Sequence, residues 1–428
     1  MPREAGPKEI EAFLERTRRL TRRQVLTGAA GVAAAAALTK VVLAQAPPAP
    51  PPDTTKVQGP LAPPRGAPSP FENLQRLPVN AQVTFTPLQD LDGIIPPSGL
   101  HFVRDHAGTP YIDPKRYKLL VHGLVARPMT FTLADLKRYP PVSRFHFVEC
   151  SGNSGAGQIA PVKEVTAQSL HGLTSTSEWV GVPLSTIFRE VGPARQSTWA
   201  LFESQDAAVM TRSIPMEKLW SDAMLAYGQN GEAIRPDQGY PVRLLLPGFE
   251  GNAQVKWVRR IEISDRPFMT REETSKYTDP VCEDGDCYAR QFTFEMDAKS
   301  LITWPSGQQT VPGPGFWEIR GIAWSGRGFI EKVEVSTDGG KTWGLAKLEQ
   351  PVLPICHTRF RYPWAWDGKE AIVVSRATDS TGYIQPTREE LIKARGEVKG
   401  PTLTFAYHAN YLQPWRVAAD GKVTNGLA

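Results

Sequence analysis

Arg144-Phe145-His146-Phe147-Val148-Glu149-Cys150-Ser151-Gly152-Asn153-Ser154-Gly155-Ala156-Gly157 is the stretch on which the reading of this chain turns. Its first six residues read as a strand. The strand ends at a cysteine, and a glycine-rich loop follows at once. Glycine lets the backbone come close to a ligand, and loops held by a rigid scaffold carry much of protein function. A thiolate in such a place suits a soft, high-valent metal. On the local pattern alone a buried structural cysteine is the commoner reading, so the rest of the chain has to decide.

Around this stretch, residues 80–285 mix short strands with short helices. Tyr117-Lys118-Leu119-Leu120-Val121-His122-Gly123 predicts a strand, and Val242-Arg243-Leu244-Leu245-Leu246-Pro247 a buried one. Thr132 to Tyr139, with Thr132 as N-cap, and Pro183 to Val191 predict helices. This is an α+β pattern. In residues 286–428 the helical signal nearly vanishes. Phe316 to Trp324 and Ile330 to Ser336 alternate at period two, and Asp338-Gly339-Gly340 turns the chain into Lys341-Thr342-Trp343, which predicts a hairpin. Ala371 to Ala377 adds a strand. Several short strands in succession predict an all-β, immunoglobulin-like sandwich as a second domain.

The N-terminus reads as an address. Thr21-Arg22-Arg23-Gln24-Val25-Leu26 sets paired arginines before a short run of small residues, Gly28 to Ala37, and Lys40 interrupts it. This predicts a twin-arginine signal peptide over residues 1–46 and export to the periplasm. Cleavage after Ala44 and cleavage after Ala46 both fit. The run is short for a membrane anchor, so none is expected after cleavage. Ten prolines between Pro47 and Pro70 make residues 47–79 a proline-rich arm or linker. The net charge of +5 belongs mostly to residues 1–46, with eight Lys or Arg against four Asp or Glu. The remaining body is almost neutral, which argues against nucleic acid as a partner.

There are four cysteines. Cys282 and Cys287 bracket a polar loop and read as a disulfide in an oxidising compartment, with a metal clip as the alternative. Cys356 reads as a buried thiol.

Taken together, the motifs resemble the sulfite oxidase family of molybdenum enzymes. Phe102-Val103-Arg104-Asp105-His106 is similar to the family's segment with a cofactor- and substrate-facing arginine and a cofactor-contacting histidine. Cys150-Ser151-Gly152-Asn153 is similar to its Cys-Ala-Gly-Asn metal loop. Gly172 to Leu184 follows as in the family. Gly239-Tyr240-Pro241-Val242-Arg243-Leu244 and Val255-Lys256-Trp257 resemble the stretch that supplies Arg and Lys to the pterin phosphate. Ala323 to Trp343 resembles the C-terminal dimerisation domain. The resemblance implies a molybdenum–pyranopterin (molybdopterin) cofactor with Cys150 as metal ligand. It implies a catalytic domain over 80–285 and an immunoglobulin-like dimerisation domain over 286–428, hence a homodimer. The expected cofactor residues are Phe102, Arg104, His106, Cys150, Ser151, Gly152, Gln238, Arg243 and Lys256. The expected catalytic residues are Cys150, Arg104 and Arg359, the last as the second domain's substrate arginine. A fixed, always-charged guanidinium suits an anionic substrate.

Departures from the family carry information too. Ser154-Gly155 stands where sulfite oxidases place an arginine, the family's active-site tyrosine is replaced near Met210, and a histidine is replaced by Gln238. These changes resemble the sulfane dehydrogenase subunits of bacterial Sox sulfur-oxidising systems. That likeness implies a substrate of sulfane sulfur held as a cysteine persulfide on a sulfur-carrier protein, within thiosulfate or sulfur oxidation. No Cys-x-x-Cys-His motif is present, so no haem is expected in this chain, and a c-type cytochrome subunit is the implied electron acceptor. Two alternatives stand beside it: a periplasmic sulfite dehydrogenase, and a cofactor-free binding protein that has kept the fold.

Overall fold

The structure is a computed structural model. It describes residues 64, 66–155, 164–283, 286–395 and 408–427, with the side chains of 280–289 and 395 left out. The expected signal peptide, residues 1–46, and most of the expected proline-rich arm, residues 47–79, therefore lie outside the described residues. Residues Pro70–Ala428 form one compact unit.

The chain enters this unit through a small sheet of Leu77–Asn80, Val83–Phe85 and Val103–Arg104. Arg76, just ahead of it, is tied to Asp237 at 2.6 Å. Two five-stranded sheets follow. One runs Glu232–Ala233, Met224–Gln229, Thr174–Pro183, Val142–Glu149, with Arg243–Leu245 also paired to Met224–Gln229. The other runs Met129–Phe131, Leu119–Gly123, Val258–Ser264, Trp199–Ser204, Thr211–Pro215. Its single parallel pair, Val258–Ser264 with Leu119–Gly123, marks the α+β character. Helices are short. Leu133–Leu136 is opened by a reciprocal cap between Thr132 and Asp135. Leu184–Val191 buries Leu184, Ile187, Phe188 and Val191, the spacing of one helical face. That face joins a core with Leu119, Val121, Phe202 and Ile261.

The second region is the expected sandwich. A four-stranded sheet of Lys299–Trp304, Gly315–Trp324, Thr358–Trp366 and Lys347–Leu348 faces a five-stranded one of Gly344–Leu345, Ile330–Ser336, Ala371–Asp379, Trp415–Val417 and Val423–Asn425. The hairpin at Asp338-Gly339-Gly340 forms, but its return strand pairs at Gly344–Leu345 rather than at Lys341 to Trp343. Asp338 is the reason: its carboxylate accepts the N–H groups of Lys341 and Thr342 and holds them in the turn. Among the described residues, three α-helices have no counterpart in the sequence pattern: Ala167–His171, Met216–Ser221 and, in this region, Arg388–Arg395. Arg388–Arg395 has little apolar periodicity and is opened by paired bonds between Thr387 and Glu390.

Strand Val142–Glu149 sits where these regions meet. Alternation sends Phe147 into the sandwich core and Val148 into a separate cluster with Phe102, Trp179 and Leu245. Cys150 packs against that second cluster. Cys356 is a buried thiol whose Sγ lies 2.9 Å from the Phe145 carbonyl; burial pushes its pKa up to about 12. Cys282 and Cys287 face each other in the register of one hairpin, but their side chains are not among those described. Among the described residues, no helix is long and apolar enough to cross a membrane.

Candidate active site

Cys150 is placed by a strand that is paired along its whole length. Val142–Glu149 runs against Thr174–Pro183 from Val142 opposite Gly181 to Glu149 opposite Thr174. The Cys150 N–H continues the ladder to the Leu173 carbonyl at 3.0 Å, and the chain then turns back, with Asn153 N–H donating to the Cys150 carbonyl at 2.9 Å. The Asn153 side chain locks the turn. Its amide donates to Glu149 Oε1 at 2.9 Å, and its carbonyl accepts from Leu173 N–H at 3.0 Å. A second loop closes on the first through Gly251, whose N–H donates to the Glu149 carbonyl at 2.6 Å. A side chain at 251 would put its Cβ 2.7 Å from that oxygen, so the approach requires glycine. Next to it, Asn252 donates to Ser151 Oγ at 2.8 Å.

The structure brings most of the predicted residues together. Phe102, Arg104, His106, Cys150, Gln238, Arg243 and Lys256 all line one cleft that opens to solvent. Ser151 and Gly152 flank the cysteine without lining the cleft. Burial pushes the Cys150 thiol above the ordinary thiol range, while the Gly152 N–H and Arg104 pull the other way. A bound metal ion would reverse that preference, because its charge holds a coordinating thiolate deprotonated.

Arg243 and Lys256 form the cationic wall. Arg243 is buried. Its Nη1 donates to the Gln238 carbonyl at 3.1 Å, its Nη2 to the Gln254 carbonyl at 3.4 Å, and its guanidinium lies 4.8 Å from the Trp179 ring centroid. Its Nε has no partner among the described residues, and no carboxylate pairs with it there. Burial pushes its pKa down to about 9. Lys256 is shared between Asp105 and the Asp237 carbonyl, the latter at 2.9 Å. Gly239, with φ of +111°, lies between the two cations, and a Cβ there would sit 2.9 Å from that of Arg243. Only glycine allows this backbone and this crowding together. Gln238 is fixed by its bond to the Phe102 carbonyl at 2.8 Å. His106 Nε2 meets the Tyr277 hydroxyl at 2.6 Å. Burial first, and then Arg104, push its pKa down to about 4, so the imidazole is neutral near pH 7.

A buried guanidinium with no carboxylate and one unmatched N–H is costly unless an anion meets it. The lysine beside it is already paired with Asp105, so Arg243 carries the uncompensated charge. This donor set fits the phosphate of a pterin cofactor, and the single thiolate of Cys150 in the same cleft fits its metal.

Arg359 is not brought into this cleft. It lines a separate hollow with Leu91, Gly93, Ser175 and His357, and its guanidinium donates to the Leu91 and Gly93 carbonyls. The substrate-facing arginine expected from the second domain is therefore not among the residues lining the Cys150 cleft. The two carbonyls that hold it come from residues more than 260 positions earlier, and the local pattern around Arg359 cannot specify them. Met210 does line the cleft, as expected of the residue standing in for a tyrosine. Other lining residues had no sequence signal of their own, notably His101, Asp206, Asn252 and Tyr277. His101 and Gln254 each lie directly before a recognised motif, at Phe102 and at Val255.

Comparison with known proteins agrees with this geometry. Residues 106–272 match an oxidoreductase molybdopterin binding domain, and residues 290–408 a Mo-co oxidoreductase dimerisation domain. The chain is 31% identical over 342 residues to the sulfite oxidase of Gallus gallus, covering 72% of this chain and 73% of that one. It is also 31% identical over 320 residues to nitrate reductase [NADH] 2 of Phaseolus vulgaris, but spans only 35% of that protein's length. Among solved structures it is similar to the sulfane dehydrogenase SoxCD from Paracoccus pantotrophus. The identity is 42% and the TM-score 0.80, over 88% of this chain and 99% of that chain. With the thiolate, the cationic wall and the two domain matches all in place, the chain belongs to the sulfite oxidase family of molybdopterin oxidoreductases.

Proposed function

We propose that this protein is a periplasmic sulfane dehydrogenase. It oxidises sulfane sulfur held as a cysteine persulfide on a carrier protein and passes the electrons to a c-type cytochrome subunit. It works as a homodimer joined through residues 290–408, the part that matches a dimerisation domain. When bound, the cofactor supplies oxygen-atom transfer, with water as the oxygen source and two electrons released per atom transferred. The chain's own residues hold and shape the site. Cys150 Sγ is the metal ligand. Arg243 and Lys256 neutralise the phosphate, and neutral His106, braced by Tyr277, offers a hydrogen bond to the pterin. Arg104 presents donors where negative charge grows on the oxidised sulfur.

The observation that carries the substrate choice is the direction of Ser154. Its hydroxyl turns away from the cleft into the core, 2.5 Å from both Lys299 Nζ and His171 Nδ1. The position that carries an arginine in sulfite oxidases thus lends no charge to the cleft, and Met210 adds an apolar wall. Such a cleft favours a tethered, less charged sulfur over a free dianion. The 42% likeness to a sulfane dehydrogenase supports the same reading.

The test is a comparison of kcat/KM for free sulfite and for carrier-bound persulfide. It should use protein purified from the periplasm with whatever co-purifies, after assay for molybdenum and haem. Turnover of the persulfide with poor use of sulfite is expected. Efficient sulfite oxidation without persulfide turnover would establish a sulfite dehydrogenase, and absence of molybdenum a binding protein.

A further inference from the structure

The underside of the Cys150 loop is held by the β-sandwich, not by the elements that build the cleft. Lys299 begins the strand Lys299–Trp304, and its side chain is buried. Its Nζ donates to Glu149 Oε1 at 3.0 Å and to Ser154 Oγ at 2.5 Å. On the neighbouring strand, Trp324 Nε1 donates to Glu149 Oε2 at 2.6 Å. With the Asn153 amide, three donors satisfy one buried carboxylate. The Tyr411 hydroxyl, also from the second region, donates to the Ser154 carbonyl at 3.0 Å. Glu149 precedes the metal ligand directly, and Ser154 ends the turn that follows it.

A buried ion pair adds little net stability over a well-packed apolar pair, yet it fixes an arrangement strictly, because either partner left alone is heavily penalised. Here one of the fixed partners, Glu149, is the residue peptide-bonded to Cys150. Ser154 also holds a left-handed backbone, φ +68°, which an L residue keeps only when its surroundings impose it. Outer hydrogen-bonding partners of this kind orient metal ligands and tune the metal.

We propose that Lys299 is a positioning residue: by gripping Glu149 and Ser154 it sets the geometry of the Cys150 thiolate, so that the sandwich domain shapes the metal site as well as joining protomers. The inference rests on the molybdenum assignment and is independent of which sulfur compound is oxidised.

The experiment uses holoenzyme and three variants: Lys299→Met, the neutral pair Glu149→Gln/Lys299→Gln, and Ser154→Ala. Molybdenum per protein is measured first, then the EPR spectrum of Mo(V) formed by partial reduction with dithionite. In Lys299→Met we expect a shifted, heterogeneous Mo(V) signal and retention of the cofactor weakened about 10- to 100-fold. The neutral pair, which can hydrogen-bond without charge, should recover a single signal and wild-type occupancy. A wild-type signal at full occupancy in Lys299→Met overturns the proposal, as does a neutral pair as defective as the single variant. Should Lys299→Met fail to fold, Ser154→Ala decides, since it cuts the grip at one end only. A shifted Mo(V) signal is then expected, and an unchanged one overturns the proposal. Molybdenum missing from the wild type would defeat the cofactor assignment itself, whereas sulfite preferred over persulfide would leave this inference untouched.

Discussion

Two buried cations serve the site in different ways. Lys299, under the Cys150 loop, meets a carboxylate, a hydroxyl and an indole ring at 5.7 Å. Arg243, in the wall of the cleft, meets two carbonyl oxygens and an indole ring, and keeps an unmatched Nε. Both lie in surroundings where an uncompensated charge is costly. Lys299 is compensated by the protein, whereas Arg243 has no carboxylate, and its Nε no partner, among the described residues. A cation that completes the fold is therefore distinguishable from one built for a ligand by what it leaves unbonded.

The largest expected effect tests the atom between the two. Cys150→Ala should abolish turnover while the protein stays folded and keeps its assembly state, checked by circular dichroism and size exclusion; normal activity would refute the metal-ligand assignment. Next comes the cation below. Lys299→Met strands a buried carboxylate and should cost about 3–5 kcal/mol in urea unfolding. The comparison is sharpest at the cation above. Arg243→Met strands no carboxylate, so the cofactor-free protein should unfold at the same urea concentration as wild type or higher. Cofactor binding should weaken by about 1.5–3 kcal/mol, read as pterin and molybdenum content. If cofactor-free Arg243→Met is as unstable as Lys299→Met, the distinction between the two cations fails.

Smaller effects come from the surroundings. Gly251→Ala forces a methyl against the Glu149 carbonyl and should cost about 1–3 kcal/mol, visible as a lower melting temperature. The least effect is on pH dependence. Burial pushes His357 down to about 3 and His146 to about 4, against 6.5 for an unburied imidazole. Below pH 6.5 the unfolded chain binds protons that the folded chain refuses. Their contribution to stability is therefore full above pH 6.5 and is lost progressively as pH falls, towards about 4 for His146 and about 3 for His357. The melting temperature should drop between about pH 7 and 5, and His357→Gln should flatten that slope. A melting temperature that rises on acidification would contradict the burial argument.

Much of this was readable in the sequence because it is local. Period-two alternation in Phe316 to Trp324, the Asp-Gly-Gly turn, the Thr132 cap and the strand running into Cys150 each depend on neighbours along the chain. The cleft residues were found as a set because the motifs occur in order, although no single basic residue among them carries a signal. What escaped depends on distant partners. Nothing near Ser154 announces that its hydroxyl meets Lys299, 145 residues later. Nor does the sequence around Arg359 reveal that Leu91 and Gly93 will claim its guanidinium. Tyr277, Asp206 and Asn252 lie on separate loops and share no spacing that would mark them as one site.

The contacts of residues 408–411 with the Cys150 loop also bear on synthesis. The His408 N–H donates to the Ser151 carbonyl at 3.0 Å, and Tyr411 closes on Ser154. On the ribosome, the thiolate loop emerges some 250 residues before these partners do. Domains tend to fold as they emerge, N-terminal part first, but this loop cannot make these two bonds until residues 408–411 have emerged as well. A product that stops before residue 408 would thus leave the Ser151 and Ser154 carbonyls without these donors, and the thiolate loop would be held by its remaining partners alone.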